Sequence, residues 1–222
     1  MQKILCVFAH PDDEAFGPGG TIALWAKQGA QIHLLCVTKG EAGINDTGTE
    51  TASLRTKELE ASAKILGIEK IEYLDYIDGE IGNIKMIEIE AKIIEKINKF
   101  QPDTLLTFNL NGVSGHIDHI TVASATTQAF RKTASTKKLY YYSMKRTETD
   151  DIKEYFVYSP PGITPEQADE IIDVSSVWDI KVEAMYCHRS QIKDVEWILS
   201  IEEAKNRNEY FLVCGGSSVR KT

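Results

Sequence analysis

The chain has 222 residues, 42% hydrophobic and 26% charged, an ordinary globular mixture that excludes disordered and fibrous classes. A chain of this length buries about 70% of its unfolded surface and needs no stapling by disulfides or metals to fold. Lys and Arg number 25 against 33 Asp and Glu, and the net charge of -8 argues against a broad phosphate-binding surface, so no nucleic-acid partner is expected.

No apolar run approaches the ~18 residues of a membrane span, so no membrane partner is expected either. The segment Ile4–Ala9 is briefly apolar and passes straight into His10-Pro11-Asp12-Asp13-Glu14. With no small-residue cleavage site, it reads as a first strand and not as a signal peptide. The remaining strand-like runs are Gln31–Thr38, Ile71–Tyr76, Thr104–Asn109, Leu139–Met144 and Ile171–Val174. The first two of these, like Thr104–Asn109, are short and apolar, as suits strands buried on both faces of a parallel sheet.

Helical spacing falls between them, over Thr21–Gln28, Thr51–Leu66 and Ile84–Phe100. Gly67 and Gln101-Pro102 stop the second and third of these. Past His119 a helix is expected to about Arg131, and Trp178–Ser190 and Val195–Asn206 also read as helical. The alternation predicts an α/β fold, a single Rossmann-like domain over residues 1–222 with a mostly parallel sheet flanked by helices. The polar stretch 147–167, with Pro160-Pro161-Gly162 and Pro165, reads as a loop or flap over one end of the sheet.

The four cysteines, Cys6, Cys36, Cys187 and Cys214, are scattered, with no CxxC pair. They read as reduced, structural residues, which fits a cytoplasmic location.

Two segments carry chemistry. His10-Pro11-Asp12-Asp13-Glu14 puts one imidazole and three carboxylates at the end of the first strand, where open α/β sheets form their sites. An acidic turn capping the next helix is the plainer reading, since Asp favours that place. Against it, adjacent carboxylates repel one another unless a cation offsets them. The following Gly17-Pro18-Gly19-Gly20 permits a close-approaching backbone but does not match the dinucleotide fingerprint, so no nicotinamide cofactor is expected.

Gly115-His116-Ile117-Asp118-His119 follows the Thr104–Asn109 strand and falls at the same predicted edge. Histidines three apart at a helix start share a face. Three of only five histidines thus meet several carboxylates. Such nitrogen and oxygen donors suit Zn²⁺ or another first-row divalent ion, and two His with one Asp leave a position open for water.

Ala9–Glu14 (AHPDDE) followed by Gly115–His119 (GHIDH) resembles the LmbE/PIG-L family of zinc-dependent N-deacetylases. Thr38–Gly43, Arg55 with Glu58, Asp78-Gly79 and Cys187–Gln191 extend the resemblance to about residue 212. It implies zinc held by His10, Asp13 and His119, Asp12 as general base, and His116 as the group that stabilises the oxyanion or protonates the amine. Asp118 would orient His116, and Arg55 would bind substrate. It also implies a homo-oligomer.

The chain departs from the family pattern at Ile117, where proline is usual, and at Ser114, where some members have tyrosine. A bound zinc would polarise an amide carbonyl and bring its water's pKa towards ~7. The leaving amine needs a proton, which Asp12 or His116 could supply.

The expected function is removal of the N-acetyl group from an N-acetylglucosamine-type sugar or glycoconjugate. Alternatives are an amidase acting on a larger thiol or antibiotic conjugate, and a non-catalytic metal- or sugar-binding protein. His33 reads as a satisfied strand residue, Tyr140-Tyr141-Tyr142 as strand packing, and His188 as a helical residue that the resemblance alone brings towards the site.

Overall fold

The computed structural model describes residues 1–43, 51–146, 160–202 and 207–215. Seven strands form one sheet: β1 Lys3–Phe8, β2 Gln31–Thr38, β3 Lys70–Tyr76, β4 Thr104–Phe108, β5 Lys138–Ser143, β6 Glu170–Asp173 and β7 Asn208–Gly215. Their order is β3-β2-β1-β4-β5-β7-β6. The first five strands are parallel. β7 lies antiparallel to both β5 and β6.

The strands and helices of the first 132 residues fall where the spacing predicts. α1 is Asp13–Phe16, α2 Gly19–Lys27, α3 Thr51–Leu66, α4 Met86–Phe100 and α5 Ile117–Lys132. In α4, Ile89, Ile93, Ile97 and Phe100 form the buried stripe that its spacing announces. α4 and α5 pack in one layer; α2, α3 and α6 (Trp178–Met185) pack in the other. Between them β1 and β4 are buried along almost their whole length, with Ile4, Leu5, Val7, Leu105 and Leu106 at the centre of the core.

Chain order sets the site. β1, β2 and β3 run outward to one edge, and the chain then returns to lay β4 on the other side of β1. The crevice between the carboxyl ends of β1 and β4 is thus the topological switch point, where open α/β sheets bind ligands. Both sequence motifs open from it.

Two expectations need correcting near the C-terminus. The Trp178–Ser190 helix stops at Met185, a short 3₁₀ turn covers Arg189–Gln191, and α7 then runs Ile192–Glu202. His188 therefore sits in the turn between helices. The strand β7 was not expected, although Tyr210–Cys214 is an apolar run bounded by Asn208 and Gly215. It is half-buried along much of its length, so its alternation is weak. Of the expected flap, 147–159 lies outside the described residues; Lys145 bridges to Ile163, and Pro165–Gln167 forms a 3₁₀ turn. Among the described residues no helix is long and apolar enough to cross a membrane.

Candidate metal centre at the β1/β4 switch point

Three expected ligands converge. His10 Nδ1 lies 3.2 Å from His119 Nε2, and His119 Nε2 lies 3.3 Å from Asp13 Oδ1. Asp13 Oδ2 is 3.8 Å from His10 Nδ1. Donors about 2.0–2.2 Å from a tetrahedral ion lie about 3.3–3.6 Å apart; the His10–His119 and His119–Asp13 spacings are near that range, and among the described residues the ring nitrogens of His10, His116 and His119 also gather closely enough to hold a metal.

Each donor is also fixed from behind. The His119 Nδ1 edge faces the Gly112 carbonyl at 3.1 Å, which keeps the proton there and leaves Nε2 as a lone pair. His10 Nε2 faces Asp78 Oδ1 at 3.0 Å and Asp118 Oδ2 at 3.3 Å, which places the ring proton on Nε2 and turns Nδ1 towards the triangle. The His10 N–H donates to Asp13 Oδ2 at 2.7 Å, leaving Oδ1 to point inward. Burial disfavours charge on Asp13, but His119 and His10 hold its carboxyl well below the usual carboxylate range. His116 also brings a ring nitrogen within reach of His10 and His119.

Asp12 sits beside this triangle in the turn from β1 into α1, at φ 111°, a region costing roughly 1–3 kcal/mol for a residue with a side chain. It stands at the N-cap of α1, yet its carboxylate makes no capping bond. Asp12 Oδ2 instead accepts from Arg55 Nη2 at 2.7 Å. Burial pushes its carboxyl up to about 6, against the pull of Arg55. Capping therefore does not explain the acidic turn.

Arg55 is itself buried; its Nη2 donates to the Pro11 carbonyl at 2.6 Å and its Nη1 to that of Gly40 at 3.0 Å. A Cβ on Gly40 or Gly43 would overlap the guanidinium, so the glycines of Thr38–Gly43 make its berth.

His116 is the N-cap of α5, and its Nδ1 accepts from the Asp118 N–H at 3.1 Å. Residues two apart at a helix start do not face one another. The Asp118 carboxylate accordingly turns to His10 and the Gly79 N–H (2.8 Å), and the expected link to His116 runs through the main chain. Burial holds His116 below the usual imidazole range. A neutral ring whose Nδ1 accepts carries its proton on Nε2.

Sequence reasoning missed the supporting partners. Asp78 enters the sequence reading only as part of the resemblance, with no role assigned; its place just after β3, at the same sheet edge, is the signal that points to one. The buried face of α3 is a second signal. Arg55, Glu58, Leu59, Ser62, Ala63 and Leu66 form its stripe, and three of these six are polar. Polar residues at helical spacing on a buried face need partners: Asp12 for Arg55, Ser190 for Glu58 and Glu14 for Ser62.

The bland readings hold elsewhere. His33 stacks on Phe100 with centroids 3.8 Å apart, near the opposite end of the sheet, so it packs as a strand residue, although its Nδ1 has no hydrogen-bond partner among the described residues and the expected satisfaction is only partial. Tyr140 and Tyr141 bond Glu170 and Thr127. All four cysteines are free, and burial raises the thiol pKa of Cys6, Cys36 and Cys187.

The fold gathers these residues into a candidate site for a divalent cation at the switch point of an α/β sheet. Residues 5–130 match the PIG-L family, GlcNAc-PI de-N-acetylase, and the chain belongs to that family. It is an amide-hydrolysing enzyme of the deacetylase class.

Among its relatives is a 1D-myo-inositol 2-acetamido-2-deoxy-alpha-D-glucopyranoside deacetylase of Rhodococcus jostii, 27% identical over 98% of this chain and 93% of the relative. The structure also resembles N,N'-diacetylchitobiose deacetylase from Pyrococcus horikoshii, with a TM-score of 0.76 and 23% identity over 97% of this chain and 84% of that one. A Pseudomonas putida protein, GalB, a 4-carboxy-2-hydroxymuconate hydratase, shares the fold at a TM-score of 0.72 and 22% identity over 96% of each chain. Likeness of fold alone therefore does not choose the reaction.

Proposed function

We propose that this chain, as one domain, is a zinc-dependent deacetylase that hydrolyses the acetamide of an N-acetylglucosamine-type sugar or glycoconjugate and releases acetate. The observation that carries the reading is the triangle of His10, Asp13 and His119 donors with Asp12 held beside it. Nitrogen and oxygen donors in this ratio favour zinc over magnesium or calcium, which prefer all-oxygen sites.

Zinc, when bound, supplies Lewis acidity to the amide carbonyl and to a water. Asp12 takes the proton of the attacking water. His116, with its proton on Nε2, donates to the oxygen on which charge develops. Because His116 Nδ1 is occupied by the Asp118 N–H, Asp12 is the better placed carrier of the proton the leaving amine requires. The Asp118 carboxylate fixes His10. Arg55 keeps the substrate-binding role that the resemblance implies, supported by its place against Asp12.

A cytoplasmic location and a homo-oligomeric state belong to the same proposal. The four free cysteines support the first; the family resemblance supports the second.

The test is an acetate-release assay on N-acetylglucosamine, N,N'-diacetylchitobiose and N-acetylglucosaminyl-inositol, with zinc removed and restored. Release that follows zinc is expected. No zinc-dependent release from any of the three would overturn the reading.

A further inference from the structure

The turn carrying Asp12 is gripped on two sides. On one, Arg55 holds the Asp12 carboxylate and the Pro11 carbonyl. On the other, the Asp12 N–H donates to Glu14 Oε2 at 3.0 Å. The second oxygen of Glu14 accepts from Ser62 Oγ at 2.6 Å and from His188 Nε2 at 2.8 Å. Glu14 is 1% exposed and His188 0%.

His188 reaches this point from the turn between α6 and α7, at the far end of the chain, and its ring stands edge-on to Phe16 with centroids 5.7 Å apart. Burial opposes charge on His188, but the charge and hydrogen bond of Glu14 outweigh it and raise its pKa. Its other nitrogen, Nδ1, has no hydrogen-bond partner among the described residues. The described hydrogen bonding of this ring is therefore directed at Glu14.

A residue at φ 111° with a Cβ relaxes towards negative φ unless its backbone is held. Glu14 supplies that hold at the N–H, and a buried Glu14 keeps its orientation when its remaining oxygen is also hydrogen-bonded. Ser62 offers one neutral donor; His188 offers the charge-assisted one, which is the stronger kind. None of the hydrogen bonds of this pair reaches the His10, Asp13 and His119 donor atoms.

We propose that the buried Glu14–His188 pair is a positioning device for Asp12, with His188 acting through Glu14 to fix the backbone from which the base reaches the attacking water. The proposal rests on the reading of Asp12 as the base and deepens it.

The test uses zinc-loaded full-length chain. kcat is expressed per bound zinc, so that lost folded protein does not register, and the substrate is whichever of the three acetamido sugars the wild type cleaves best. His188→Leu is expected to lower kcat about 100-fold, the loss typical of a displaced catalytic group, with KM within about twofold and zinc content unchanged. His188→Gln, whose side-chain amide can still donate to Glu14, should recover about tenfold of that loss. A His188→Leu kcat within about twofold of wild type overturns the proposal. So does an equal loss in both variants, or a fall in zinc content with kcat per bound zinc unchanged.

If His188→Leu does not fold, His188→Gln decides: a kcat loss of roughly tenfold at constant KM supports the proposal and an unchanged kcat overturns it. A crystal structure of the soluble variant gives a readout independent of activity. Asp12 is expected to leave its left-handed φ, and an unmoved Asp12 backbone overturns the positioning role even if the wild type cleaves none of the sugars. That last result would sink the deacetylase reading separately.

Discussion

Two of the buried polar clusters among the described residues are built to opposite plans. Lys181 on α6 and Glu209 on β7 form an ion pair at 3.1 Å, with side chains 1% and 3% exposed. Glu209 also accepts the Gly20 and Thr21 N–H groups at 2.9 and 2.8 Å, and Lys181 donates to the Gly17 carbonyl at 3.0 Å. Each charge there meets its complement, and the N-terminus of α2 is closed by a carboxylate from its own chain. At the β1/β4 crevice the donors do not complement one another. His10 Nδ1 and His119 Nε2 face one another at 3.2 Å with the Asp13 carboxylate beside them, while their other ring nitrogens face partners behind them. The first arrangement stabilises a fold. The second has the donor set of a candidate cation site.

Removing the cation should break this contrast most severely. Treatment with a chelator is expected to abolish acetate release and zinc to restore it, while the far-ultraviolet circular dichroism stays near native. Loss of secondary structure with the metal would mean that the crevice, too, is a folding cluster. Asp12→Asn should lower kcat by about 10²–10⁴-fold with zinc still bound, since it removes the base and not a ligand. Near-normal turnover in this variant would remove Asp12 from the chemistry.

Lys181→Met is the reverse experiment. It leaves Glu209 charged and buried and should cost about 3–5 kcal/mol in urea unfolding. Zinc content and kcat of the folded variant should not change; a parallel loss of zinc would show that the two clusters are coupled.

Gly40→Ala addresses the wall behind Asp12. At φ 72° any side chain is strained, and a Cβ there overlaps the Arg55 guanidinium. A roughly tenfold fall in kcat at full zinc occupancy is expected; no fall would mean that Arg55 need not stay on Asp12.

The smallest effect belongs to the surface. Against the upward push of partial burial, Lys70 and Lys96 hold Glu72 down to about 2. Its contribution is therefore present above the unfolded carboxylate range and lost as pH falls through about 2. With the side chain 31% exposed, Glu72→Gln should cost only about 0.5 kcal/mol at neutral pH and flatten the acid limb slightly.

The sequence announced one half of this contrast far better than the other. β1, β2 and β4 were legible because strands buried on both faces read as unbroken apolar runs, and α3 and α4 because their stripes repeat at helical spacing. The two motifs were legible because they fall at strand ends. The closed cluster was not. Lys181 and Glu209 are ordinary charges in sequence, and they meet only because an unexpected antiparallel β7 brings residue 209 across the sheet to α2 and α6.

Asp78, Glu14 and His188 lie in segments the resemblance marks, but which residues they pair with around the candidate site was hidden for the same reason, as was Ser62. Asp78, Glu14, Ser62 and His188 lie far apart along the chain and are joined by packing, not by local pattern. The resemblance implies that Asp118 orients His116; the helix start separates their side chains and turns the Asp118 carboxylate to His10.

The central claim, that lone pairs from His10, Asp13 and His119 converge to hold a metal, is tested most directly by zinc analysis of the purified chain beside its His119→Ala variant. After dialysis against metal-free buffer, the wild type should retain about one zinc per chain and the variant almost none, both with native circular dichroism. A wild type without zinc that also fails to take it up, or a variant that retains as much as the wild type, would contradict the account.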